Sequence, residues 1–238
     1  MQTLRGNIKQ VHARIAAAAR RVGRNSTEVT LVTVTKTVPA DRVRMAWELG
    51  LTDFGENRVQ EAVGKIPLVA SEASAELRST QYAIRWHMIG HLQRNKVRHA
   101  IPLFDLVHSV DSVRLAREID KRAGQAGKVM PVLIEINVAG EASKHGFAPQ
   151  ALDEAVRQIA DLPHVTIRGL MTVAPIAEDP ETVRPFFRRL SRLRDRMADQ
   201  FSDIDWHHLS MGMTDDFEIA IEEGATLVRI GRAIFGER

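Results

Sequence analysis

Apolar residues recur along this chain in two periods. Leu4, Ile8, Val11 and Ile15 fall on one stripe with Arg and Lys between them, which predicts an amphipathic helix over 4–22. Gly23 and Asn25 end it. Residues 29–36, VTLVTVTK, are then β-branched and aliphatic with little polar surface, the pattern of a strand covered on both faces. Further strands are predicted at 51–54, 84–89, 103–108, 132–138, 165–173, 205–209 and 226–230. Helical segments separate them. Pro39 and Asp41 open one that runs through Trp47 and stops at Gly50. Val59, Ala62 and Val63 mark the next, and 67–80 reads as helix with loose ends. Residues 92–99 follow, then a helix capped by Asp111 and one begun by Pro149. The last two cover 181–201 and 215–223.

Eight strands alternating with helices predict parallel βα units. Eight such units in 238 residues fit one closed (β/α)₈ TIM barrel, with an open doubly wound sheet as the alternative. No Gly/Ser linker or change of composition divides the chain, so residues 1–238 are expected to form a single domain. The extra N-terminal helix is expected to plug or flank the bottom of the barrel.

Composition narrows the function. The 33 basic and 30 acidic residues leave a formal charge of +3, too small an excess to predict a nucleic-acid partner. The basic run 188–196, RRLSRLRDR, reads as a solvated helix face with Leu190 and Leu193 turned inward. The absence of cysteine excludes disulfides, thiolate metal sites and a cysteine nucleophile. No apolar run is long enough to cross a membrane, and Arg5, Lys9, Arg14 and Arg20 interrupt any signal-peptide core. A cytoplasmic protein is the expectation.

Function in such a barrel sits at the carboxyl ends of the strands. Lys36 stands at the first of them, either reaching out to water or partly desolvated and reactive as a Schiff-base amine. Ser210 and Gly212 follow strand seven, and Arg229, Gly231 and Gly236 surround strand eight, where barrels commonly hold phosphate. A molecule with both an aldehyde and a phosphate fits, either pyridoxal 5′-phosphate or a sugar phosphate. Arg229 bears on the choice: an arginine facing a ring nitrogen keeps it unprotonated, while the alternative is a salt bridge across the mouth. His87 and His91 are four apart but pass from strand to loop, so no metal site is expected there. In the pair His207 and His208, one member is expected to be a hydrogen-bonded core histidine. Asp215, Asp216 and Glu218 sit where they offset the positive end of a helix.

The motifs TKTVPA (35–40), FGENRVQE (54–61), WHMIGHLQRNK (86–96), KHGF (144–147), GLMTVAP (169–175), LSMGMTDDFEIAIEEG (209–224) and VRIGRAIFG (228–236) resemble those of the pyridoxal phosphate homeostasis protein family. They span nearly the whole chain in the family's order. The resemblance implies one barrel similar to the N-terminal domain of alanine racemases, a fold type III pyridoxal phosphate protein. It implies that Lys36 carries the cofactor and that Ser210 and the backbone of Gly231 and Arg232 hold its phosphate. It places Arg229 at the pyridine nitrogen, with Asn57 and Met211 lining the pocket. Two positions depart from the pattern: Arg58 stands where tyrosine is common, and Ala100 where a branched aliphatic residue is expected.

An arginine at the ring nitrogen weakens the cofactor as an electron sink. Racemases of this class also take a second base, a tyrosine, from a further domain; here the sequence stops at Arg238 and its one tyrosine is Tyr82. The expectation is therefore a binder and donor of pyridoxal phosphate, serving vitamin B6 homeostasis, with no assigned catalytic residue. Apo forms of pyridoxal phosphate enzymes are the expected recipients. A monomer is expected, with a dimer as the alternative. The competing readings are a pyridoxal phosphate-dependent racemase and a Schiff-base aldolase.

Overall fold

The computed structural model describes residues 3–71, 83–141 and 144–236. Among them, eight strands run β1 (Thr30–Val34), β2 (Asp53–Glu56), β3 (Arg85–Met88), β4 (Leu106–Val110), β5 (Met130–Glu135), β6 (Val165–Met171), β7 (His208–Ser210) and β8 (Leu227–Ile230). Each pairs in parallel with its sequence neighbours, and β8 returns to β1 through Leu31 opposite Val228 and Val32 opposite Arg229. The fold is thus a closed eight-stranded parallel barrel, as expected. No helix among the described residues is long and apolar enough to cross a membrane.

The outer helices are α1 (Leu4–Arg21), α2 (Ala40–Glu48), α3 (Val59–Ser71), α4 (Val97–Ala100), α5 (Val113–Gln125), α6 (Leu152–Ala160), α7 (Arg184–Gln200), α8 (Phe217–Glu222) and α9 (Arg232–Phe235). Of the helix expected over 67–80, the part to Ser71 belongs to α3, and 72–80 lie outside the described residues. Leu190 and Leu193 of α7 are buried as expected. Two cores result. Val32, Leu106, Leu133, Met171 and Leu227 fill the barrel, and a larger cluster joins the outer faces of the strands to the helices.

The N-terminal helix flanks the side of the barrel rather than its bottom. After β8 the described residues make only the single turn α9, which leaves the place of an eighth outer helix open among them. Helix α1 takes that place. Asn7 donates to the Ile234 carbonyl at 2.9 Å, beyond the top of β8. Arg24, just past α1, reaches the carbonyls of Ile221 and Ala225 below it. The helix therefore descends antiparallel to β8 and feeds β1, as the other helices do. Burial of Ile8, Val11 and Ile15 holds it, at roughly 1.5–3 kcal/mol per side chain. The half-exposed Arg14–Glu218 pair adds at most about 1 kcal/mol.

Strand boundaries shift from the expected ones, most at β2, β4, β5 and β7. Leu51 is not strand: its N–H bonds the Ala46 carbonyl and that of Gly50 bonds Trp47, closing α2. This closure needs φ = +94° at Gly50, which only glycine adopts cheaply. Leu103 likewise belongs to the turn after α4, bonded to Ala100. So β2 and β4 begin later than their apolar runs, β7 begins only at His208, and β5 spans Met130–Glu135. The cap of α5 is Ser112, whose hydroxyl accepts from the Leu115 N–H at 3.2 Å. Asp111 instead meets His91.

Candidate functional site

A cleft of about 490 Å³ opens where β1, β8 and the loop after β7 meet. Lys36, Arg229, Gly231 and Arg232 line it together. Ile176, Met213 and Thr214 form another wall, and Ile176 is fully exposed. Arg232 is held by the carboxylate of Asp215 at the lip. Three cationic side chains against one carboxylate give this cleft a positive balance. The side chain of Lys36 is exposed to solvent, so packing does not desolvate it, contrary to that part of the expectation.

Arg229 is buried below the cleft. Burial lowers its pKa from 12.5 to about 10, with Asp216 and Glu135 opposing, so it stays charged at neutral pH. Its backbone N–H donates to the Gly212 carbonyl at 3.0 Å. Gly212 has φ = +89°, and a Cβ there would stand 2.5 Å from that of Ala220, so the turn excludes other residues. The guanidinium donates to the Thr172 carbonyl at 2.8 Å and to the Ser210 hydroxyl at 2.5 Å.

From Ser210 a string of polar groups crosses the barrel. Its hydroxyl lies 2.8 Å from His108 Nδ1. His108 Nε2 lies 2.9 Å from His87 Nδ1, and His87 Nε2 lies 3.0 Å from Asp53 at the start of β2. Burial, then the charges of His87 and Arg229, holds the pKa of His108 well below 6.5, so it is neutral. Burial raises Asp53, but hydrogen bonds from His87 and Arg85 outweigh it and leave a carboxylate below its ordinary range. Arg229 donates to Ser210, and the two imidazoles join that hydroxyl to the Asp53 carboxylate.

This geometry sorts the expected residues. Ser210, expected to hold phosphate, is the last residue of β7, and its hydroxyl meets Arg229 and His108. Met211 is fully buried in the outer core and does not line the cleft. Asn57 lines a separate cleft of about 600 Å³ with Arg58, Gly90, His91 and Lys96, and its buried Oδ1 has no hydrogen-bond partner. Tyr82 lies outside the described residues. Ala100 is fully buried.

The histidines divide differently from expectation. His208, expected as a hydrogen-bonded core residue, is half-buried with its Nδ1 unpaired; burial, then His207, lowers it to about 4. The hydrogen-bonded core histidines are His87 and His108. His91 sits apart from His87, bonded to Asp111 at 2.9 Å and stacked on His145 with ring centroids 3.7 Å apart. Ligand atoms of His91, Asp111 and His145 lie within 4.8 Å of one another. The two rings are only 10° from parallel, so their in-plane lone pairs do not converge on one ion as placed.

His108, Asp53 and Glu135 are the polar residues that sequence reasoning missed. Their signal is positional: each lies in a short, largely buried strand, and inward direction becomes readable only once the register is known.

Comparison with known proteins follows the same lines. The alanine racemase N-terminal domain family matches residues 7–238. The pyridoxal phosphate homeostasis protein of Aquifex aeolicus is 45% identical over 231 residues, covering 97% of this chain and 96% of that protein. A crystal structure of an unknown protein from Bifidobacterium adolescentis superposes with a TM-score of 0.91 at 35% identity, over 98% of this chain and 94% of the other. PipY of Synechococcus elongatus PCC7942, solved with PLP bound, superposes with a TM-score of 0.80 at 32% identity, over 95% of this chain and 100% of its own.

Proposed function

We propose, for a chain that belongs to the pyridoxal phosphate homeostasis protein family, that it binds pyridoxal 5′-phosphate in the cleft of Lys36. The observation that carries this reading is the convergence of Lys36, Arg229, Gly231 and Arg232 on one cleft of about 490 Å³. The volume lies in the ordinary range for small-molecule pockets, roughly 300–1,000 Å³. Its positive balance suits a phosphate, and the exposed face of Ile176 suits a ring.

When bound, the cofactor supplies an aldehyde that condenses with an amine and a ring that withdraws electrons. The amine is that of Lys36. Arg232 and the backbone at Gly231 hold the phosphate. Arg229 donates an N–H to the ring nitrogen, and as a group that keeps its proton it does not protonate that ring. Ser210 and Thr172 orient Arg229 from below. The pocket roles that the resemblance implied for Met211 and Asn57 form no part of this reading.

An open cleft with an exposed lysine favours loading and release. The reading is therefore storage and delivery within the cytoplasm, with apo enzymes that use the cofactor as recipients. It treats residues 1–238 as one barrel domain acting as a monomer. The test is an absorbance spectrum of the protein with added pyridoxal phosphate, before and after borohydride. A visible band that reduction fixes to Lys36, and that Lys36→Ala removes, is expected. An unchanged band in Lys36→Ala refutes the reading, as does robust amino-acid racemisation that this substitution abolishes.

A further inference from the structure

Lys36 has no side-chain scaffold of its own, yet both peptide units that flank it are anchored. The anchor is Lys65, on α3, whose side chain is only 7% exposed. Its Nζ donates to the Thr35 carbonyl at 2.6 Å, to Glu56 Oε1 at 2.7 Å and to Glu61 Oε1 at 2.5 Å. Those three acceptors use all three donors of an ammonium group. The Thr35 carbonyl belongs to the peptide that enters Lys36. On the other side, the Thr37 N–H donates to the same Glu61 oxygen at 2.6 Å. That N–H belongs to the peptide that leaves Lys36. The Thr35 hydroxyl donates to Glu56 Oε1 at 2.6 Å and closes the cluster.

The backbone here also departs from its preferred form. Thr37 has φ = +60°, the one positive φ among the described non-glycine residues. A β-branched residue in this region is strained by about 1–2 kcal/mol, and it persists only where its surroundings enforce it. The Glu61 bond to its N–H is such an enforcement. An extended Thr37 would redirect the chain that carries Lys36.

We infer that Lys65, acting through Glu61 and Glu56, is a positioning residue that aims the amine of Lys36 into the cleft. It touches neither the ligand nor the reacting atoms. The role rests on the reading of Lys36 as the amine that bonds the aldehyde. What the clamp supplies is orientation: the amine is presented to the aldehyde instead of sweeping the open mouth. Misplacing a reacting group by about 1 Å typically costs up to roughly a hundredfold in rate.

Three variants test this on the full chain. Lys65→Met removes all three ammonium bonds, the one to the Thr35 carbonyl among them. Glu61→Ala removes the Thr37 anchor while leaving Lys65 its bonds to Thr35 and Glu56. Glu61→Gln keeps an oxygen acceptor at the same place. Two ligands are compared. Pyridoxal phosphate reports covalent capture, read as the rate at which borohydride-fixable label appears on Lys36. Pyridoxine phosphate, which has an alcohol in place of the aldehyde, reports non-covalent binding alone. The expected result is a fall in capture rate of roughly tenfold or more in Lys65→Met and Glu61→Ala, with pyridoxine phosphate affinity unchanged and Glu61→Gln restored to wild type. Should Lys65→Met fail to fold, Glu61→Ala and Glu61→Gln decide alone. Equal capture rates in wild type and Glu61→Ala overturn the inference while leaving Lys36 as the bonding amine. Equal losses for both ligands also overturn it, since the clamp would then merely shape the cleft. Absence of label on Lys36 in the wild type overturns the reading of the site itself.

Discussion

Glu135→Gln should stabilise the protein at alkaline pH and leave it unchanged in acid. Glu135 ends β5 with 8% of its surface exposed, and its Oε2 is buried without a hydrogen-bond partner. Burial, then the nearby carboxylate of Asp111, raises its pKa from 4.5 to about 7, with Arg229 opposing. The folded protein thus binds this proton more tightly than the unfolded chain does. Below pH 4.5 both states are protonated and the group costs nothing. Between 4.5 and about 7 stability falls as pH rises, and above 7 the whole cost is present. That displacement is worth about 3 kcal/mol. For a chain of this size it corresponds to roughly 6–12 °C in Tm. Glutamine has the shape of the protonated acid and cannot ionise, so the variant escapes the cost. Thermal unfolding followed by circular dichroism near pH 5 and pH 8.5 measures it. The variant should melt close to wild type in acid and well above it in alkali. A gap of equal size at both values, or a variant less stable in alkali, refutes the argument.

Two further substitutions probe the interior. Ser210→Ala leaves His108 Nδ1 and one Arg229 N–H without their partner and should cost about 1–3 kcal/mol in urea unfolding. A midpoint equal to wild type would show that the string is not maintained in solution. Gly169→Ala sets a Cβ 1.8 Å from the His208 carbonyl oxygen at φ = +144°, where β6 meets β7. It should cost more than about 4 kcal/mol, and a Tm within a few degrees of wild type would contradict it.

The barrel was legible because strands buried on both faces announce themselves as apolar runs. The errors fell where an apolar residue served another purpose. Leu51 and Leu103 look like strand residues, but each closes the helix or turn before its strand. Lys36, Arg229, Gly231 and Arg232 were legible because strand ends and glycine spacing are local features. The interior string was not. Asp53, His87, His108, Ser210 and Arg229 belong to five strands, and neighbouring links are separated by up to 102 residues. Ser210 shows the difference most sharply. The pattern of the chain places it one residue past β7, whereas it is the last residue of β7 and bonds Arg229 and His108.

The string also bears on how a buried arginine would serve the proposed ligand. A buried cation is usually met by a carboxylate, because desolvation otherwise costs several kcal/mol. Even the exposed Arg232, at the lip, meets a carboxylate, that of Asp215. Arg229 does not. Asp216 and Glu135 are close enough to favour its charge, yet its described hydrogen bonds go to the Thr172 carbonyl and the Ser210 hydroxyl. Neutral acceptors fix the direction of a guanidinium without cancelling its field. The carboxylate of the string, Asp53, stands at its far end, behind two imidazoles and a hydroxyl. Glu135, nearest the mouth, titrates at about 7 and is only partly ionised at neutral pH. The positive potential of Arg229 therefore points up into the cleft, where an electron-rich ring nitrogen would meet it. A carboxylate bonded directly to the same guanidinium would hold it as firmly and remove the attraction.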